Sequence, residues 1–391
     1  MIISKSIEDL RYSVIREMSG LAQGLPDLIT LGIGEPDFHT PEAITQAAFQ
    51  DALNGHTHYT HSQGDAELLQ GLSRHIQATM GIELPPRQFL VTHGGMGSLT
   101  AAFRTLLEAG DEVLLPEPHF PDYLAHITFA GGTLNRVPTR FEDGFIPNPE
   151  ELEAAITDNT RILLLNSPNN PTGAVIPGEV LDRIAEIAVK HNLIVISDEV
   201  YDALTYGEIA HESIFTRPGM DQRTLVIKSF SKTYAMTGWR IGYCFGPEFI
   251  ISNMLKVVNY STACASAVGQ RAALAALDLD PAVIQGMKER FAARLDLVCT
   301  RLAAMKGIQV ARPQGSFYLF ANIRPVLQKT GMSSRDFALD LIHSKQLVVV
   351  PGYAFGEDCD HCIRIACTVD RETLNRAMDR LQAHLEDLMG E

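Results

Sequence analysis

Short apolar runs alternate with helix-like stretches through the middle of the chain. The runs are "FLVTH" (89–93), "EVLLP" (112–116), "RILLLN" (161–166), "LIVIS" (193–197), "TLVIKS" (224–229) and "IGYCF" (241–245). Several lack the apolar–polar alternation of a half-buried strand, as strands covered on both faces do. Between them "GSLTAAFRTLLEAG" (97–110) and "GEVLDRIAEIAVKHN" (178–192) carry helical spacing, and Asn192 is a suitable helix terminator. Strands alternating with helices predict an α/β fold, a mostly parallel doubly wound sheet. Beyond Asp280-Pro281 the pattern changes to the long helical run "MKERFAARLDLVCTRLAAMKG" and shorter mixed segments. This predicts a large domain over 41–282, and a smaller α+β domain formed by 283–391 with the N-terminal 1–40.

Length supports the division, since 391 residues exceed the ~100–200 of one typical domain. Charge narrows the partners. With 32 basic and 47 acidic residues the net charge is −15, which opposes a phosphate backbone, so no nucleic-acid partner is expected. No apolar run reaches the ~18 residues of a membrane helix, and "MIISKSIEDLRYS" lacks the apolar core of a signal peptide. A cytoplasmic protein with no membrane partner is expected. The six cysteines fit, having no framework spacing; Cys359 and Cys362 form a C-x-x-C without the second pair or histidines of a zinc site, so no metal is expected.

Ligands on parallel sheets gather beyond the carboxyl ends of the strands, and the chemistry-bearing residues fall there. After "FLVTH" comes Gly94-Gly95-Met96-Gly97 and a helix, where small residues and a positive helix end could cradle a phosphate. The P-loop spacing is absent, and alone this stretch reads more readily as a structural turn. After "RILLLN" comes "SPNNPTG" with Asn170; after "LIVIS" come Asp198 and Tyr201; after "TLVIK" come Ser229, Ser231, Lys232 and then Arg240. Lys232 is either a surface lysine at a strand end or a desolvated nucleophilic amine. An acid at the end of an apolar strand is poorly placed unless a cation faces it. One chemistry uses the whole set: a pyridine-ring cofactor with an aldehyde and a phosphate needs an amine, a carboxylate for its ring nitrogen and cations for its phosphate.

"SPNNPTG", "SDEVY" and "SFSKTYAMTGWRIGY" closely resemble the signatures of class I/II aminotransferases, the pyridoxal-phosphate enzymes of fold type I. The similarity runs in order from "GIGEPDF" (32–38) through "VTHGGMGSL" and "PEPHFPDY" to "QGSFYLF" (314–320), "VVVPGYAFG" (348–356) and "IRIACT" (363–368). The resemblance implies that Lys232 carries pyridoxal 5'-phosphate as an aldimine and, once displaced, moves the proton of transamination in a ping-pong reaction. It implies that Asp198 holds the pyridinium nitrogen, that Tyr201 and Asn170 contact the ring oxygen, and that Phe120 stacks on the ring. It gives the phosphate to Ser229, Ser231 and Arg240 with the backbone of Gly95, Met96 and Gly97, and to Tyr59 of a neighbouring subunit, hence a homodimer with active sites at its interface. Arg364 would clamp the substrate carboxylate bidentately, beside Gly34, Phe120 and Asn170.

The rival chemistry on the same fold is a C–S lyase reaction by β-elimination, since the same lysine and aspartate serve both. A DNA-binding regulator would need a further module, and a nicotinamide dehydrogenase would need a glycine fingerprint that is missing. For the side-chain pocket, aspartate enzymes of a sister subgroup carry an arginine, donated across the dimer, two residues before an "NYS" stretch. Here that position is Val257, with Lys256 beside it. Valine cannot pair with a second carboxylate, so apolar, aromatic and methionine-like amino acids are the expected donors, with an aspartate-preferring enzyme as the alternative.

Overall fold

The computed structural model describes residues 3–390 apart from 9 and 11. Among these, seven strands build the larger sheet: β1 (Phe89–Thr92), β2 (Glu112–Glu117), β3 (Thr133–Pro138), β4 (Thr160–Asn166), β5 (Ile194–Asp198), β6 (Thr224–Ser229) and β7 (Gly242–Phe245). Their order across the sheet is β1-β7-β6-β5-β4-β2-β3. Neighbours run parallel except at β7, which is antiparallel to both β1 and β6.

The central strands are apolar throughout because helices cover both faces. Successive residues point to opposite sides. Phe89, Val91 and Val226 accordingly join one core with Leu72 and Ile76, while Leu90, Leu225 and Ile227 join another with Leu99 and Phe103. All six apolar runs match strands to within a residue at each end. β3 is the strand that the pattern does not announce. It lies at the sheet edge, half in solvent, so "TLNRVP" carries polar residues and no apolar run.

The smaller sheet has the order Val350–Pro351, Cys362–Ala366, Tyr318–Asn322, Gln309–Val310, antiparallel throughout. The helices Pro281–Ala303, Ser334–Lys345 and Arg371–Met389 pack on it through Leu302, Phe337 and Leu381. Pro281 opens its helix at the first position, and the Asp280 side chain caps the Ala282 N–H at 2.9 Å. N-terminal residues are built into this core: Met18, Ala22, Ile29 and Leu31 lie in the same cluster, and Ile29–Thr30 pairs with Leu347–Val348 in parallel. No helix among the described residues is long and apolar enough to cross a membrane. The Cys359 and Cys362 thiols are buried, and burial pushes both pKa values up, which suppresses thiolate reactivity.

Candidate active site

A cavity of about 540 Å³ opens at the carboxyl ends of β1, β4, β5 and β6, where the smaller sheet and the N-terminal segment close over the larger one. Lys232 enters it from the short helix Phe230–Thr233 that follows β6. Its Nζ donates to the carbonyl of Gly34 at 2.6 Å. Burial of the amine, only partly offset by Glu35, lowers its pKa to about 8. About a tenth of the lysine is therefore free base at pH 7, far more than for a solvated lysine.

Asp198 ends β5 at the cavity floor, 5 % exposed. Its partners are neutral: the Tyr123 hydroxyl donates at 2.6 Å and the Val200 N–H at 3.3 Å. Burial of this carboxylate raises its pKa to about 6 despite both bonds. The adjacent Glu199 points the other way, as strand alternation requires. It is committed to Lys228 at 2.8 Å, His211 at 3.0 Å and the Ser213 hydroxyl. Burial alone would raise Glu199, but Lys228 and His211 overrule it and hold its pKa well below the carboxylate range. Of two neighbouring acids, only Asp198 is left facing the cavity in want of a cation.

The other end of the cavity is shaped for an anion. The helix Gly94–Leu106 starts without a side-chain cap, leaving first-turn N–H groups to an incoming ligand. Gly94 has φ +69°, and a Cβ there would lie 3.0 Å from Arg240 Nη2, so glycine lets the guanidinium close over the turn. Gly95, Met96, Ser229, Ser231 and Arg240 all line the cavity. Gly97 does not. A Cβ on it would meet Thr92 Cβ at 3.2 Å, so it serves helix–strand packing.

At the substrate side Arg364, 1 % exposed, donates through Nη1 to Asn170 Oδ1 at 3.0 Å and through Nη2 to the Gly32 carbonyl at 2.5 Å. Its Nε is buried with no partner, and the guanidinium packs over the rings of Tyr318 and Phe355 at 4.6 and 4.9 Å. Tyr201 meets the Tyr318 hydroxyl at 3.0 Å. Phe120 lines the wall, edge-on to Tyr123. Gly34 is present for a reason other than room for substrate. A Cβ there would fall 1.8 Å from the Tyr318 hydroxyl, so the space that glycine leaves is filled by the protein itself.

Twelve of the fourteen expected site residues thus meet in one cavity, and Gly97 and Tyr59 stand outside it. Tyr59 is 89 % exposed and lines a different hollow with His56, His58 and Arg271. Val257 and Lys256 likewise line a separate surface hollow with Tyr260. Sequence reasoning passed over Tyr123, Tyr318, Arg16 and Asp122. The two tyrosines stand inside "PHFPDY" and "QGSFYLF", where a hydroxyl on an otherwise apolar face was the available signal.

Residues 26–381 match the family Aminotransferase class I and II. The chain belongs to that family, whose members use pyridoxal phosphate. It is 38 % identical to aromatic-amino-acid aminotransferase 2 of Thermococcus litoralis and 37 % identical to an aspartate aminotransferase of Pyrococcus abyssi, each over 99 % of both chains. An aspartate aminotransferase structure from Rhizobium meliloti superposes with a TM-score of 0.95 at 32 % identity, covering 99 % of both chains. The lyase alternative gains no support from these aminotransferases.

Proposed function

We propose that this aminotransferase prefers apolar and aromatic amino acids as donors and passes their amino group to a 2-oxo acid with the help of pyridoxal 5'-phosphate. The convergence of Lys232, Asp198 and the uncapped helix with Arg240 on one cavity carries the reading. These residues fit the cofactor on chemical grounds. A buried carboxylate without a cation suits a protonated ring nitrogen, an uncapped helix start beside a guanidinium suits a phosphate, and a low-pKa amine suits an aldehyde.

Ser229, Ser231, Arg240 and the first-turn N–H groups would hold the phosphate; Asp198 and Phe120 the ring; Tyr201 and Asn170 its oxygen. When bound, pyridoxal 5'-phosphate supplies an aldehyde that captures the substrate amine and a protonated ring that draws electrons from the α-carbon. Lys232 Nζ, as free base, takes the proton from that carbon. Arg364 holds the substrate carboxylate and so fixes which bond lies along the reacting direction. Tyr318 and the Gly34 carbonyl limit where the amine of Lys232 can travel.

The donor preference rests on the rest of the wall. Ile15, Ile33, Leu99 and Phe120 are apolar, and Asp122 adds a carboxylate whose pKa burial has raised. A short second carboxylate on the substrate would meet apolar surface and a like charge. Single-turnover conversion, followed spectrally for methionine, phenylalanine and aspartate, is expected to place the first two ahead in kcat/KM. Aspartate ahead by tenfold, about 1.4 kcal/mol in transition-state binding, would overturn the preference.

We also propose a homodimer that brings Tyr59 to the neighbouring site. Its support is the exposure of Tyr59 and Tyr260, 89 and 90 %, on surface that a monomer would leave in water. Sedimentation at micromolar concentration is expected to give twice the chain mass of 42.9 kDa, and a species of single-chain mass would refute the dimer.

A further inference from the structure

Two lysines close together in sequence, Lys228 and Lys232, face different surroundings. Lys232 lines the cavity, while Lys228 lies outside it on β6 and is 6 % exposed. Ile227 pairs with Asp198 in the ladder and its carbonyl accepts the Glu199 N–H at 3.0 Å, so Lys228 comes level with Glu199. Its Nζ lies 2.8 Å from Glu199 Oε2 and donates to Asp202 Oδ2 at 2.7 Å. Burial alone would lower the pKa of this amine, but Asp202 and Glu199 overrule it and hold it above the ordinary lysine value, so the ammonium persists at neutral pH. Glu199 follows Asp198, and Asp202 follows Tyr201. The Asp202 N–H closes the turn on the Glu199 carbonyl at 3.1 Å. One ammonium thus pins both ends of a turn whose other face sends Asp198 and Tyr201 into the cavity.

We propose that Lys228 is a positioning residue of the cofactor site: by holding Glu199 and Asp202 on one nitrogen it fixes the turn 198–202, and with it the places of Asp198 and Tyr201. The inference rests on the pyridoxal 5'-phosphate reading and extends it to a residue that does not touch the cavity. Without the cation, two carboxylates held against the same point repel each other through a medium of low dielectric. The two ends of the turn do not yield equally. Glu199 is also held by Ser197, Ser213 and His211, and Asp198 by the Tyr123 hydroxyl. Asp202 has only the Ala203 N–H beside it and a side chain 34 % exposed, so it moves outward and takes Tyr201 along. The expected lesion is therefore a misplaced Tyr201 more than a misplaced Asp198.

The experiment uses the full-length holoenzyme and follows the visible absorption of the bound cofactor across pH, with the Kd of pyridoxal 5'-phosphate from equilibrium dialysis of stripped protein. A hydrogen bond from Tyr201 favours the deprotonated ring oxygen, so displacing the tyrosine moves the absorption midpoint up; in Lys228→Met a rise of about half a unit or more is expected. The Kd should rise about tenfold, and Lys228→Arg, which keeps the charge, should recover part of both. Asp202→Ala separates position from charge. Loss of a nearby carboxylate would by charge alone lower the midpoint, whereas release of the Tyr201 end raises it. A midpoint in Asp202→Ala that stays or falls overturns the proposal, as does a Lys228→Met protein with wild-type midpoint and Kd. If Lys228→Met does not fold, Asp202→Ala decides alone. A wild-type chain that fails to bind pyridoxal 5'-phosphate would instead overturn the cofactor reading, so the two failures are told apart.

Discussion

Lys232→Ala is expected to abolish amino transfer, by about 10⁴-fold or more, while the fold and the far-ultraviolet spectrum persist. Two losses combine: no amine remains to hold the cofactor covalently, and no base remains to move the α-proton, a role that by itself contributes ~10²–10⁴. The variant should still bind pyridoxal 5'-phosphate through the anion end of the cavity, because Ser229, Ser231 and Arg240 are untouched. Borohydride should fix the cofactor to the wild-type chain and release it from the variant. The pKa supplies an independent check on the cofactor-free protein. Acylation of Lys232 should rise with pH through about 8, well below the range of a solvated lysine, since burial disfavours its charged form. Activity above a few per cent in the alanine variant, or a lysine that titrates near 10, would reject this assignment.

Asp198→Asn is expected to keep the fold and most cofactor affinity but to slow turnover by about 10³-fold. The carboxylate is buried with only neutral donors around it, so its natural partner is a cation that the chain does not provide. A pair of unit charges ~4 Å apart at an effective dielectric near 20 is worth ~4 kcal/mol, enough to hold a pyridinium protonated at neutral pH. Asparagine is nearly isosteric and can still accept from Tyr123, which separates the loss of charge from a loss of packing. Single-turnover rates across pH decide the matter. A variant within tenfold of wild type would mean that another group protonates the ring.

Much of this site was legible because it is written at strand ends. Asp198, Asn170, Ser229 and Lys232 each follow an apolar run, so hydropathy located the strands and the next few residues located the chemistry. The parts that were not legible depend on who meets whom across the fold. Arg16 sits on the helix Val14–Leu21, and its place in the cavity wall with Asp122 depends on the packing of Met18 into the core of the smaller sheet, which no neighbouring motif announces. Gly34 could be recognised as a glycine that matters, but its true contact, the Tyr318 hydroxyl, is nearly three hundred positions away. β3 was missed for the opposite reason. An edge strand in solvent lacks the apolar signature that reveals its buried neighbours.

The reversal at β7 has a consequence for how this site keeps its tolerances. A parallel sheet normally separates consecutive strand ends by a crossover helix, so two groups on successive strands are placed by two independent packings. Here the chain leaves the sheet at Ser229 and re-enters at Gly242, directly opposite in the ladder. The amine of Lys232 and the guanidinium of Arg240 both ride on the connection 230–241. Their spacing is thus set by a single register, much as two teeth on one jaw are set by its hinge. A slip by one residue would turn every side chain of β7 to the opposite face, and the apolar cores on the two sides admit no such exchange. The distance between the reacting amine and the anion cradle is protected by the same burial that holds the sheet together.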